Sequence, residues 1–143
     1  MMKVRDFEQG RCFLARLDLD AEIIGQITDL AKSEGIETGV FSVIGALKQA
    51  ELACYDQTAH EYRTIRVDGP VELVTAWGNV SLRDCRRFVH AHAVLADSEG
   101  RTRGGHLMKG GVFAAELCMQ ELVGEPLIRE HDPATGLYLW GDR

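Results

Sequence analysis

A chain of 143 residues fits one domain, residues 1–143, with enough interior to dispense with disulfides or a structural metal. Its formal net charge of −6 argues against a protein that holds nucleic acid through the phosphate backbone, which needs concentrated positive potential. No run approaches the roughly 20 apolar residues of a membrane span, no secretory leader is evident, and Cys12, Cys54, Cys85 and Cys118 form no CxxC pair, so reduced thiols in a cytoplasmic protein are expected.

Residues 11–17 read as a strand that follows a turn at Gln9-Gly10. Ala21, Ile24, Ile27, Thr28, Leu30 and Ala31 then recur near the helical period, which predicts an amphipathic helix over residues 21–33 with Asp20 as its cap and Gly35 as its stop. A strand over residues 40–44 ends in a slim bend at Gly45-Ala46-Leu47, and residues 49–55 alternate well enough to be the next strand. The bend suits either close packing or a wall beside a ligand, since both require close backbone approach. After a polar turn at 56–61, residues 62–67 predict another strand, broken at Asp68-Gly69-Pro70.

Residues 71–80 are apolar on both faces, which predicts a central strand covered on both sides. Residues 81–87 read as a polar connection into Phe88-Val89-His90-Ala91-His92-Ala93-Val94-Leu95-Ala96-Asp97. Residues 112–123 are ambiguous: Ala, Leu, Met, Glu and Gln favour a helix by propensity, while the neighbouring elements argue for a strand. Asp132-Pro133 marks a turn, and Leu137-Tyr138-Leu139-Trp140 a short terminal strand. The Gly104-Gly105 and Gly110-Gly111 pairs lack the spacing of a phosphate-binding loop.

Three of the five histidines fall in one stretch of this chain. In an extended strand His90 and His92 point to the same side, about 6.6 Å apart. A hairpin turn centred near Glu99 would place His92 opposite His106 and bring three imidazoles to one point. Such a trio can hold zinc or a related divalent ion with a fourth position open for water or substrate. Chelation accounts best for three clustered donors; the alternatives are a metal-free catalytic or anion-binding pocket and hydrogen-bonded structural histidines. Catalysis would also need a proton-moving group, for which Glu72 is the first candidate and Glu116 the second, with Asp97 and Glu99 as acids of the turn. His60 and His131, in polar surroundings, read as surface imidazoles.

The ordered set Gly39-Val40-Phe41 with Ile44-Gly45-Ala46-Leu47, Glu72-Leu73 leading to Gly78-Asn79-Val80, and His90-Ala91-His92-Ala93 followed by Gly104-Gly105-His106-Leu107 resembles the plants-and-prokaryotes-conserved (PPC) domain over nearly the whole chain. The resemblance implies an α+β fold, a mainly antiparallel β-sheet packed with a few helices, assembled as a homotrimer. It also implies a strand rather than a helix over residues 112–120, and a clustered metal site at His90, His92 and His106. One departure stands out: where the family commonly has an Asp-Gly turn before the first histidine, this chain has Asp84-Cys85. Plant relatives bind DNA through attached AT-hooks, and no Arg-Gly-Arg-Pro stretch is present here. The expected function is therefore a self-associating protein with a three-histidine metal site, zinc or a related divalent ion, used for small-molecule binding or an unassigned reaction. The alternatives are a module for protein partners and assembly whose histidines are structural, and a DNA-binding protein.

Overall fold

Alternating burial along long extended segments builds the molecule, since each strand turns one set of side chains to a shared core. The structure is a computed structural model and describes residues 2–141. The elements in chain order are β1 (Glu8–Leu17), α1 (Ile23–Ser33), β2 (Gly39–Asp56), β3 (Glu61–Val67), β4 (Val71–Arg83), β5 (Arg86–Ala96), β6 (Thr102–Val123), β7 (Arg129–Asp132) and β8 (Leu137–Trp140). Strands β1 to β6 form one antiparallel sheet in the order β1-β6-β5-β4-β2-β3, and β2 also pairs with β6. The ring β2-β4-β5-β6 therefore closes on itself, while β7 and β8 form a separate hairpin. Among the described residues, no helix is long and apolar enough to cross a membrane.

Helix α1 closes one side of the ring, burying Ile23, Ile27 and Ala31 against β5 and β6. The core beneath it contains Phe41, Val43, Leu47, Leu95, Val112, Leu117 and Met119. The helix starts later than its periodicity suggested, and its cap is Glu22, whose carboxylate accepts from the amides of Ile24 (3.2 Å) and Gly25 (2.7 Å). Asp20 instead lies at φ 67° and pairs with Lys48. Gly35 does end the helix, at φ 69°.

The two strands expected around Gly45 are one strand, β2, and Gln9-Gly10 lies within β1 at a register irregularity. Gly45, at φ 150°, is a bulge where an added Cβ would overlap the Ala114 carbonyl of β6, so close packing is its role. Residues 112–123 belong to β6, as the family resemblance implied and propensity did not. Partners on both edges, β2 on one side and β1 on the other, fix this segment as strand. The supposed connection over residues 81–87 is mostly strand as well. Only Asp84 and Cys85 turn, both at positive φ (51° and 59°), the pattern of a two-residue type I′ hairpin.

Strand β4 is central, between β5 and β2, but its outer face is covered only in part: Ala76 and Val80 are buried in the core and Ser81 is buried on the outer face, whereas Trp77 on that outer face is 60% exposed. The cross-strand register lines up Leu14, Cys118, Ser42, Trp77 and His92 in one row on the face away from the core. The histidines thus share a sheet face with exposed apolar side chains.

Candidate metal centre

In β5 the strand alternation buries Ala91 and Ala93 in the core and turns His90 and His92 outward. The turn to β6 is held by Asp97, whose carboxylate accepts from the amides of Glu99 (2.9 Å) and Arg101 (3.0 Å). This tie fixes the register that sets His92 opposite His106 and Ala93 opposite Gly105. Gly78, opposite Ala91, leaves room for the chain beside His90: an added Cβ there would overlap the His90 carbonyl and lie 2.6 Å from the Phe41 ring.

The three imidazoles converge as the spacing predicted. Ring centroids are 5.1 Å apart for His90 and His92, 5.0 Å for His90 and His106, and 5.6 Å for His92 and His106. One nitrogen from each ring falls within 4.8 Å of the others. Burial, followed by the charges of His106, Arg129 and His92, pushes the His90 pKa down to about 4. Burial, then His92 and Arg129, likewise lowers His106. The neutral imidazole so favoured is the form that ligates metals.

His106 Nδ1 is buried with no hydrogen-bond partner among the described residues. A buried nitrogen left without a partner is costly as plain structure, and an imidazole nitrogen can be satisfied by a cation. The donor set therefore fits a divalent ion, with all ligands nitrogen and a coordination position left over.

The trio opens on a cavity of about 740 Å³ whose walls include Tyr55, Tyr62, His60, Gly105, Thr135 and Leu137. The Tyr62 ring lies 5.1 Å from that of His106, and the Tyr55 hydroxyl donates to the Thr135 carbonyl at 2.7 Å, tying the β7–β8 turn over the site. His60 and His131 are exposed, His60 stacked on Tyr55 and His131 against Tyr138.

The proposed proton-moving carboxylates do not reach this cavity. Glu72 stands opposite Ala46 and Ala96, five residues along β4 from Trp77, the neighbour of His92, a distance of roughly 17 Å by strand rise. Glu116 faces Arg16 and Ile44 at the far end of β6. Asp97 and Glu99 pair with Arg101 in the turn, and among the described residues no acidic one lines the histidine cavity.

One residue at the site carried no sequence signal. Arg129 of β7 is buried and donates to Ser81 Oγ (2.8 Å), Asn79 Oδ1 (2.9 Å) and the Tyr138 carbonyl (2.9 Å). Asn79 is the cross-strand partner of His90. Arg129 meets these residues through contacts 48 and 50 positions away in the chain, which no local spacing encodes.

Residues 4–123 match the sequence profile of the family described as the Plants and Prokaryotes Conserved (PCC) domain. Among solved structures, the chain is similar to a plant- and prokaryote-conserved protein of Pyrococcus horikoshii, with a TM-score of 0.93 and 41% identity over 98% of this chain and 97% of that one. It is similar also to a metal-containing protein of Archaeoglobus fulgidus, with a TM-score of 0.94 and 40% identity over 97% of this chain and 99% of the other. A bifunctional protein GlmU of Synechococcus sp. (strain JA-3-3Ab) is 31% identical over 88% of this chain, which spans only 20% of that relative's length.

Proposed function

The chain belongs to the Plants and Prokaryotes Conserved domain family, and on that premise we propose that it is a self-associating, metal-binding protein whose ion takes a small ligand. His90, His92 and His106 hold zinc or a related divalent cation. The observation that carries this reading is the convergence of one nitrogen from each of three imidazoles within 4.8 Å, at a site where His106 Nδ1 is also buried without a partner among the described residues. The Archaeoglobus relative, described as metal-containing and 40% identical across the whole chain, supports it.

When bound, such an ion polarises a ligand oxygen or lowers the pKa of a bound water. The chain's own residues supply the rest. Tyr55, Tyr62 and Leu137 wall the cavity and give a ligand an apolar surface to pack on. Glu72 and Glu116 lie elsewhere, and ligand binding is the part of the function for which the residues around the trio are in place.

Self-association as a homotrimer is part of the same proposal. Leu14 (84% exposed), Ile44 (54%) and Trp77 (60%) lie on one sheet face, more apolar surface than a stable monomer comfortably shows to water. Closed symmetry covers such a face in every copy. A second reading, an assembly module for which the ion is incidental, draws on this same face. Metal analysis of parent and His90→Ala/His92→Ala/His106→Ala protein, run beside sedimentation velocity, separates the two: the leading reading requires metal in the parent and none in a folded variant.

A further inference from the structure

Arg129 is a cationic side chain that lines a cavity together with His90, and its partners among the described residues are neutral. Arg129 is only 9% exposed. Its three hydrogen bonds go to neutral acceptors: Ser81 Oγ, Asn79 Oδ1 and the Tyr138 carbonyl. A guanidinium has five N–H donors, so two are left over. Among the described residues, no carboxylate forms an ion pair with it. The nearby charge that registers on it besides the Tyr62 phenol is that of Arg83, of like sign. The rings of Phe88 and Trp140, 5.1 and 5.9 Å from its Cζ, supply only weak compensation.

A buried charge without a counterion is expensive, so an anionic ligand that pairs with it is stabilised there. Arg129 and His90 line one cavity of about 580 Å³, and His90 also lines the cavity of the metal centre. Lys3, Glu130 and Asp132 border the Arg129 cavity too, but the Asp132 carboxylate is taken by the Thr135 amide (3.0 Å) and hydroxyl (2.6 Å). Asn79, which accepts from Arg129 at 2.9 Å, stands directly opposite His90 on the neighbouring strand, so the guanidinium is held close to the histidine trio.

We propose that Arg129 is the anion-binding residue of this site, taking the carboxylate of a small ligand whose other end reaches the ion held by His90, His92 and His106. The inference rests on the metal-centre reading and adds the ligand class. A planar guanidinium with donors to spare matches a carboxylate geometrically, and cavities of this size hold small molecules. Asn79 and Ser81 hold the guanidinium in place and are positioning residues.

The test uses the full chain loaded with zinc and titrated calorimetrically with malonate, with inorganic phosphate as the second probe. Zinc stoichiometry is measured on every sample. Parent protein is expected to bind malonate in a salt-dependent way, and Arg129→Met to weaken it at least tenfold with zinc stoichiometry unchanged. Asn79→Asp, which gives the guanidinium an internal counterion, is expected to weaken malonate similarly while raising thermal stability; it decides the matter if Arg129→Met does not fold. Failure of the parent to bind malonate, undiminished affinity in the variants, or tighter binding of phosphate than of malonate overturns the proposal. Absence of zinc from the parent is a separate result and removes the metal-centre reading instead.

Discussion

Trp77 of β4 stands directly opposite His92 of β5, so a ring that is 60% exposed borders the histidine trio. If this face joins copies of the chain, assembly and the metal centre meet at that pair. Trp77→Lys is expected to convert a trimer to monomers at micromolar concentration, since losing the burial of a Trp side chain costs on the order of 2 kcal/mol per copy before the added charge is counted. Sedimentation velocity reads the outcome directly. A Trp77→Lys protein that stays trimeric would place the contact elsewhere.

Gly78→Ala is expected to destabilise the fold by about 2–3 kcal/mol and to weaken metal retention at the same time. The added methyl would meet the backbone of His90 and the ring of Phe41, and a strand carbonyl at the centre of a sheet has little room to yield. Chemical denaturation gives the first number and competition with a chelator the second. Parent-like behaviour in both would mean the sheet flexes more than this packing allows.

Cys85→Gly should stabilise the protein by about 1 kcal/mol, because the left-handed conformation held by Cys85 (φ 59°) penalises any residue with a Cβ and suits glycine. The gain appears as a higher denaturation midpoint with an unchanged slope. An unchanged or lower midpoint would show that the entropy glycine adds to the unfolded chain outweighs the relief.

The histidine trio was legible because its geometry is local: strand alternation pairs His90 with His92, and a turn read from Asp97 to Arg101 brings back His106. Neither step needs to know the rest of the fold. Arg129 was not legible, since Ser81 and Asn79 reach it only after β7 has packed onto β4. Gly45 misled for a related reason. It has the look of a strand breaker, and only the abutting Ala114 of β6 reveals a bulge inside continuous β2. Residues 112–123 show pairing on both edges overriding a helical composition, and here the family pattern supplied what propensity lacked.

Stability at acid pH should depend on Glu121. The Arg11 guanidinium and backbone N–H hold its carboxyl at about 2, below the ordinary 4.5. A depressed carboxyl contributes stability fully above its unfolded pKa and loses it as pH falls through the folded value, so the window runs from about 4.5 down to about 2. Arg11 is half exposed, so solvent screening keeps the effect modest. Denaturation midpoints taken across that window should fall less steeply for Glu121→Gln than for the parent. Equal slopes would show that the pair is not linked to folding.

The central claim is that His90, His92 and His106 together hold one metal ion, and metal content by mass spectrometry of untagged protein tests it most directly. The account predicts about one zinc or related divalent ion per chain in the parent after equilibration with zinc, and none in a folded His90→Ala/His92→Ala/His106→Ala variant. A parent that takes up no metal, or a triple variant that retains it in full, would contradict the assignment.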